Sequence, residues 1–137
     1  MNILFFLTPK ADVAYIKETD SFRQVLEKLE YHGYTAVPML SEDGRYLGTI
    51  TEGDLLWELK DRGFPDLKEL EDVPIASIRR RRDNLAVNVQ ADMEDLFEKV
   101  SNQNFVPVVD DHQVFSGIVT RKDVLLYLAD HLKTAEQ

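Results

Sequence analysis

The chain has 137 residues, with 16 basic and 25 acidic side chains and a formal net charge of −9. That length fits one compact domain or two small half-domains sharing a core, and the acidic balance argues against general binding to nucleic acid or a membrane surface, which needs a basic footprint. An anionic small ligand held by a local basic cluster remains open, and the absence of cysteine excludes disulfides, thiolate metal sites and a cysteine nucleophile.

The first apolar run, Ile3 to Leu7, is too short for the core of a signal peptide. It has no basic flank and no small-residue cleavage site after it. No stretch approaches the ~18 apolar residues of a spanning helix, so a cytoplasmic location is expected. Val13 to Ile16 reads as a short strand. Phe22, Val25, Leu26 and Leu29 form the stripe of an amphipathic helix. Ser21 is its candidate cap, and Ser21 with Gln24 is a candidate capping box. Ala36 to Leu40 is a buried-strand run, Ser41 to Gly44 a turn, Tyr46 to Thr51 a returning strand and Glu52 to Lys60 a helix. Residues 61–76 read as a link, broken by Gly63 and Pro65.

The same order then recurs. Leu85 to Val89 is a strand, Asp92 a cap, and Met93, Leu96, Phe97 and Val100 a helical stripe. Phe105 to Val109, the turn Asp110 to Gln113, the strand Val114 to Thr120 and a helix from Arg121 to about Leu132 complete the second copy. Gly48-Thr49-Ile50-Thr51-Glu52-Gly53-Asp54 matches Gly117-Ile118-Val119-Thr120-Arg121-Lys122-Asp123 at an offset of 69, as Val37-Pro38 matches Val106-Pro107. The preceding helices match at an offset of 71, so the second copy is two residues shorter between helix and strand. The repeat divides the chain into 1–62, a connecting segment 63–76, and 77–137. A single unit would leave one sheet face bare, so the expected fold is α+β: two β-α-β-β-α repeats related by a pseudo-two-fold axis, sheets packed together and helices outside.

Chemistry concentrates in the twice-occurring Gly-x-x-Thr-x-x-Asp. The glycine permits close approach of a neighbour or ligand. The threonine precedes the helix, where unpaired N–H groups and the dipole favour an anion. The aspartate, one turn in, can accept two hydrogen bonds from a vicinal diol such as a ribose. Either copy alone reads equally as a plain cap with a first-turn acid. Two copies at one spacing, each preceded by an apolar-Pro strand, favour a ligand role.

On these residues the sequence resembles the CBS-domain family in its tandem-pair form, from about Ile3 to about Leu132. The resemblance implies an adenosine ligand in the cleft between copies, with Thr and Asp from one copy and the base held by the first strand and pre-proline segment of the other. Thr120, Arg121 and Asp123 would then work with Ala14, Tyr34, Thr35 and Ala36, while Thr51 and Asp54 would work with Arg79, Leu85 and Gln103. The segments around Pro38, Pro107 and Thr120 resemble small stand-alone pairs of Gram-positive bacteria, some of which bind cyclic di-AMP. The two-residue deletion, with Gln103 in the place of Tyr34, makes the Asp54 site the poorer one.

Arg79 to Arg82 could hold phosphates as bidentate donors or could be a solvated loop. His32, His112 and His131 are scattered without metal-ligand spacing, so no metal is expected. Trp57 and Tyr127 stand at matching helix positions and pack either a dimer face or the core. Together with Leu55, Leu56, Leu59, Val124, Leu125 and Leu128 they exceed one buried stripe, which points to a homodimer. No pattern supplies a nucleophile, a Walker loop, or a metal cage with a general base. The expectation is therefore not an enzyme but a regulatory sensor of an adenosine nucleotide such as AMP, ADP, ATP or cyclic di-AMP, read by a regulated protein partner. A dimerisation scaffold with degenerate sites is the alternative, which the intact Thr and Asp of both copies argue against.

Overall fold

Strand and helix alternate as the two repeats imply. In the computed structural model, which describes residues 2–136, the elements in chain order begin with β1 (Thr8–Pro9), β2 (Ile16–Lys17), α1 (Phe22–His32), β3 (Ala36–Leu40), β4 (Tyr46–Thr51) and α2 (Glu52–Asp61). After α3 (Leu67–Leu70) come β5 (Val87–Asn88), α4 (Met93–Asn102), β6 (Phe105–Val109), β7 (Phe115–Thr120) and α5 (Arg121–Glu136). The strand expected at Val13 to Ile16 lies instead at Ile16–Lys17, sharing only Ile16 with that range, and the one expected at Leu85 to Val89 contracts to Val87–Asn88. Val13 closes a 3₁₀ turn onto the Lys10 carbonyl instead, and the Leu85 backbone bonds a side chain rather than a strand.

The chain forms two compact units that are interleaved in sequence: residues 14–83, and residues 1–13 with 84–137. The first carries the sheet β2-β3-β4, parallel between β2 and β3 and antiparallel between β3 and β4. Its core joins Phe22, Val25 and Leu29 of α1 to Val37, Met39 and Ile50 of the sheet and Leu55 of α2. The connecting segment is not a bare link. Asp66 caps α3, Leu70 is buried, and Ile75 and Ile78 complete the same core. Burial of Leu70 and Ile75 within the segment and of Ile78 just after it, each worth about 1.5–3 kcal/mol, explains why the segment is held down.

The other unit repeats the plan with β5-β6-β7 and adds β1 on the outer edge of β7, pairing Thr8 with Ile118 and Pro9 with Gly117. The apolar run at the start of the chain folds into a 3₁₀ turn, Ile3–Phe6, whose Ile3 and Phe6 enter this second core beside Val106, Val119 and Val124. Leading segments thus correspond: Ile3–Phe6 serves one core and Ile75–Ser77 the other.

Helix boundaries follow local chemistry. Ser21 and Gln24 form a complete capping box at α1, and Asp92 caps α4 through the Asp95 amide. Helix α1 ends on Gly33 in the left-handed region, with the Gly33 and Tyr34 amides bonded back to the Glu30 and Leu29 carbonyls. Helix α4 ends on Gln103 in extended backbone, a tighter exit that accommodates the two-residue deletion.

Two tests follow from strands β4 and β7. At Gly117 (φ 151°) an added Cβ would strike the Thr8 carbonyl, whereas at Gly48 it would meet only the ends of the Arg80 and Asp83 side chains. Gly117→Ala is therefore expected to lower unfolding free energy by about 1–3 kcal/mol, and Gly48→Ala by clearly less, as read from urea midpoints. On β4, burial pushes the Tyr46 phenol up to about 12 while its oxygen pairs with that of Thr49 at 2.7 Å. A proton held more tightly in the folded chain gives stability that is complete below about pH 10 and is lost as pH rises toward 12. Unfolding between those values is expected to show this loss, and Tyr46→Phe to remove it.

Candidate functional site

Each strand-to-helix junction is built by the same local device. Thr51 ends β4 opposite Ala36 and starts α2. Its hydroxyl accepts from the Asp54 amide at 3.1 Å, and the first helical amide, of Glu52, donates to the Thr35 carbonyl. Thr120 ends β7 opposite Phe105 and starts α5, with its hydroxyl accepting from the Asp123 amide at 3.1 Å and the Arg121 amide donating to the Asn104 carbonyl.

The two aspartates then diverge. Asp54 is 1% exposed. Its Oδ2 accepts from the Thr51 amide at 3.0 Å, completing a capping box, and its Oδ1 accepts from the Arg81 amide at 2.9 Å. Asp123 is exposed, and its carboxylate accepts no hydrogen bond among the described residues. Beside it, Arg121 donates from Nε to the Val100 carbonyl at 2.7 Å, which fixes the guanidinium near the end of α4.

Of the expected site residues, Ala14, Tyr34, Thr35, Ala36, Thr51, Asp54 and Arg79 belong to the unit 14–83, and Leu85, Gln103, Thr120, Arg121 and Asp123 to the other. Tyr34 is 44% exposed and stacks one face on His32, centroids 5.1 Å apart and planes at 9°. Leu85 has an exposed side chain and a backbone held by Gln103: Oε1 accepts from the Leu85 amide at 2.9 Å, and Nε2 donates to the Leu85 carbonyl at 3.1 Å and the Phe105 carbonyl at 3.2 Å.

The arginine run is partly anchored within its own unit. Arg80 Nε donates to Asp83 Oδ1 at 2.9 Å and lies over Gly48, while that carboxylate oxygen also accepts from the Thr49 amide. Arg79 and Arg82 are exposed. Sequence reasoning missed Asp83, which satisfies an amide on the open edge of β4, and the Arg81 amide as partner of Asp54. The only available signal was an acid closing a run of four arginines. His32 as the partner of the Tyr34 ring was also missed, although the spacing of two across a helix-ending glycine allowed it.

Matching helix positions do not carry matching roles. Tyr127 packs edge-on against Phe5 and Phe6 and bonds His131, whereas Trp57 is 44% exposed. Leu55 and Val124 are buried, so the apolar surface left open is Leu56 with Trp57 on α2, and Leu125, Leu126, Leu128 and Leu132 on α5. No helix among the described residues is long and apolar enough to cross a membrane.

Comparison with known proteins gives concordant likenesses. The chain is 26% identical to cyclic di-AMP receptor B of Bacillus subtilis (strain 168) over 129 residues, 94% of this chain and 87% of that protein. A crystal structure of CbpB in complex with c-di-AMP superposes with a TM-score of 0.86 at 26% identity, covering 100% of this chain and 91% of that one. A CBS domain protein from Streptococcus pneumoniae TIGR4 superposes with a TM-score of 0.84 at 26% identity, covering 94% and 87%. The family model for the CBS domain matches twice, over residues 7–61 and 75–130, and the chain belongs to the CBS-domain family.

Proposed function

We propose that the chain is a regulatory adenosine-nucleotide sensor and not an enzyme, taking its ligand in the cleft between the repeats. The observation that carries this reading is the Asp123 carboxylate: exposed, without a protein partner among the described residues, and one turn inside a helix whose first turn favours negative charge. In this reading Asp123 accepts from the ribose diol, and Thr120 and Arg121 lie toward the phosphates. The base rests against Ala14 and the Tyr34–Ala36 segment, the free face of Tyr34 offering a stacking surface. Support comes from the similar receptor for cyclic di-AMP and from the similar CbpB bound to c-di-AMP. AMP, ADP, ATP and cyclic di-AMP share the adenosine that these residues would recognise. A bound nucleotide signals only if it prefers one of two conformations, which a partner protein then reads.

The chain is further proposed to form a homodimer through the apolar faces of α2 and α5. Large exposed apolar side chains clustered on one helix are unusual for a monomer, and a second copy offers the matching surface. Light scattering at micromolar concentration is expected to give twice the chain mass, and Leu125→Glu to reduce it. A monomeric mass for the parent sinks the dimer.

Calorimetry on two variants tests the site. Asp123→Ala should remove two hydrogen bonds to an ionised group, each worth ~1.5–3 kcal/mol, and so weaken the adenosine ligand by ~100-fold or more with little change in thermal midpoint. Asp54→Ala should instead leave the Thr51 and Arg81 amides unpaired and lower stability by about 1–3 kcal/mol. If the parent binds none of the four nucleotides, or if Asp123→Ala binds like the parent, the reading is wrong.

A further inference from the structure

The two repeats offer different backbone edges at equivalent places, and one of them is already occupied. Leu85 in the second repeat corresponds to Ala14 in the first, at the helix offset of 71. The Ala14 N–H and carbonyl have no hydrogen bond among the described residues. Both backbone groups of Leu85 are bonded, and to one side chain: the Gln103 carboxamide accepts from its N–H and donates to its carbonyl. A third bond, from the same Nε2 to the Phe105 carbonyl, and another from Asn84 Nδ2 to that carbonyl, fix the arrangement.

The chemistry of that contact is specific. A primary carboxamide presents a donor beside an acceptor, and so does the edge of adenine that carries its amino group. That correspondence is why adenine and amides pair in bidentate fashion. A residue that shows its own N–H and C=O side by side can pair with either. At Leu85 the protein's carboxamide makes the two bonds that adenine would make. Tyr34, at the place of Gln103 in the first repeat, has no such groups, and its ring lies on His32.

The aspartate of the corresponding set is closed in the same sense. Both oxygens of Asp54 are engaged, by the Thr51 and Arg81 amides, and at 1% exposure there is no room for a diol to reach them. A carboxylate can accept more than two hydrogen bonds, but only from donors that can approach it.

We infer that the set Thr51, Asp54, Leu85 and Gln103 is closed from within, with Gln103 standing in for adenine on the Leu85 backbone and the Arg81 amide standing in for ribose on Asp54. The chain therefore takes one adenosine group, through Ala14, Tyr34 and Asp123. Gln103 is a specificity residue that acts by occupying the second base-reading edge. This rests on the nucleotide reading proposed above.

The test is calorimetry with AMP together with amide chemical shifts. The parent should bind one AMP per chain, shifting the Ala14 amide and leaving that of Leu85 unmoved. In Gln103→Ala the Leu85 amide should become responsive, with a second, weaker AMP step appearing at millimolar concentration. Gln103→Met, which keeps the length of the side chain without its bonds, should behave alike and guards against a packing defect. Retained AMP binding at the first set shows that each variant is folded. Two equivalents bound by the parent, or a Leu85 amide that stays silent in both folded variants, would overturn the inference while leaving the nucleotide reading intact. A parent that takes no adenosine ligand removes that reading, and the inference with it.

Discussion

At Thr51 and at Thr120 a hydroxyl accepts the amide three residues on, at 3.1 Å in both places. Everything near the candidate site is registered by that bond. It fixes where the strand stops and the helix starts, since the residue that closes the ladder with Ala36 or Phe105 is also the helix cap. The first helical amide is then pinned to the carbonyl just before the partner strand, Thr35 in one repeat and Asn104 in the other. A cap of this kind is worth about 1 kcal/mol by itself. Its larger effect is geometric, because it sets the orientation of the aspartate one turn later.

With the frame fixed, the two aspartates differ only through what surrounds them. The Asp54 carboxylate finds amide donors on both sides and becomes part of the fold. Asp123 finds none among the described residues and stays on the surface as an acceptor. The two copies differ here by a change of partners rather than of residue type, for threonine and aspartate stand in both.

This difference was only half legible in the sequence. The repeat, the Val-Pro strands and the caps at Ser21 and Asp92 follow from periodicity and side-chain chemistry, which act locally and can be counted along the chain. The deletion and Gln103 in place of Tyr34 were also readable, as departures of the second copy from the first. The bonds that close around Leu85 and Asp54 were not, because the Gln103 carboxamide meets Leu85 across 18 positions and Arg81 meets Asp54 across 27. Contacts of that range depend on how the chain returns on itself. The same limit applies to residues 63–76, whose Gly63 and Pro65 signal a break. The burial of Leu70 and Ile75 depends on a groove that only the folded unit provides.

The interleaving of segments has a consequence for how the protein is made. Residues 14–83 are contiguous and contain every side chain of their own core, including Ile75 and Ile78. That unit can complete its packing as soon as it leaves the ribosome, since domains form in order of synthesis. The other unit needs Ile3 and Phe6 from before that stretch and Val119 and Val124 from after it. Ile3 and Phe6 meet those partners only after the whole of residues 14–83 has been added. Contacts across such a span form slowly, so the unit that holds Ile3 and Phe6 closes after the contiguous one.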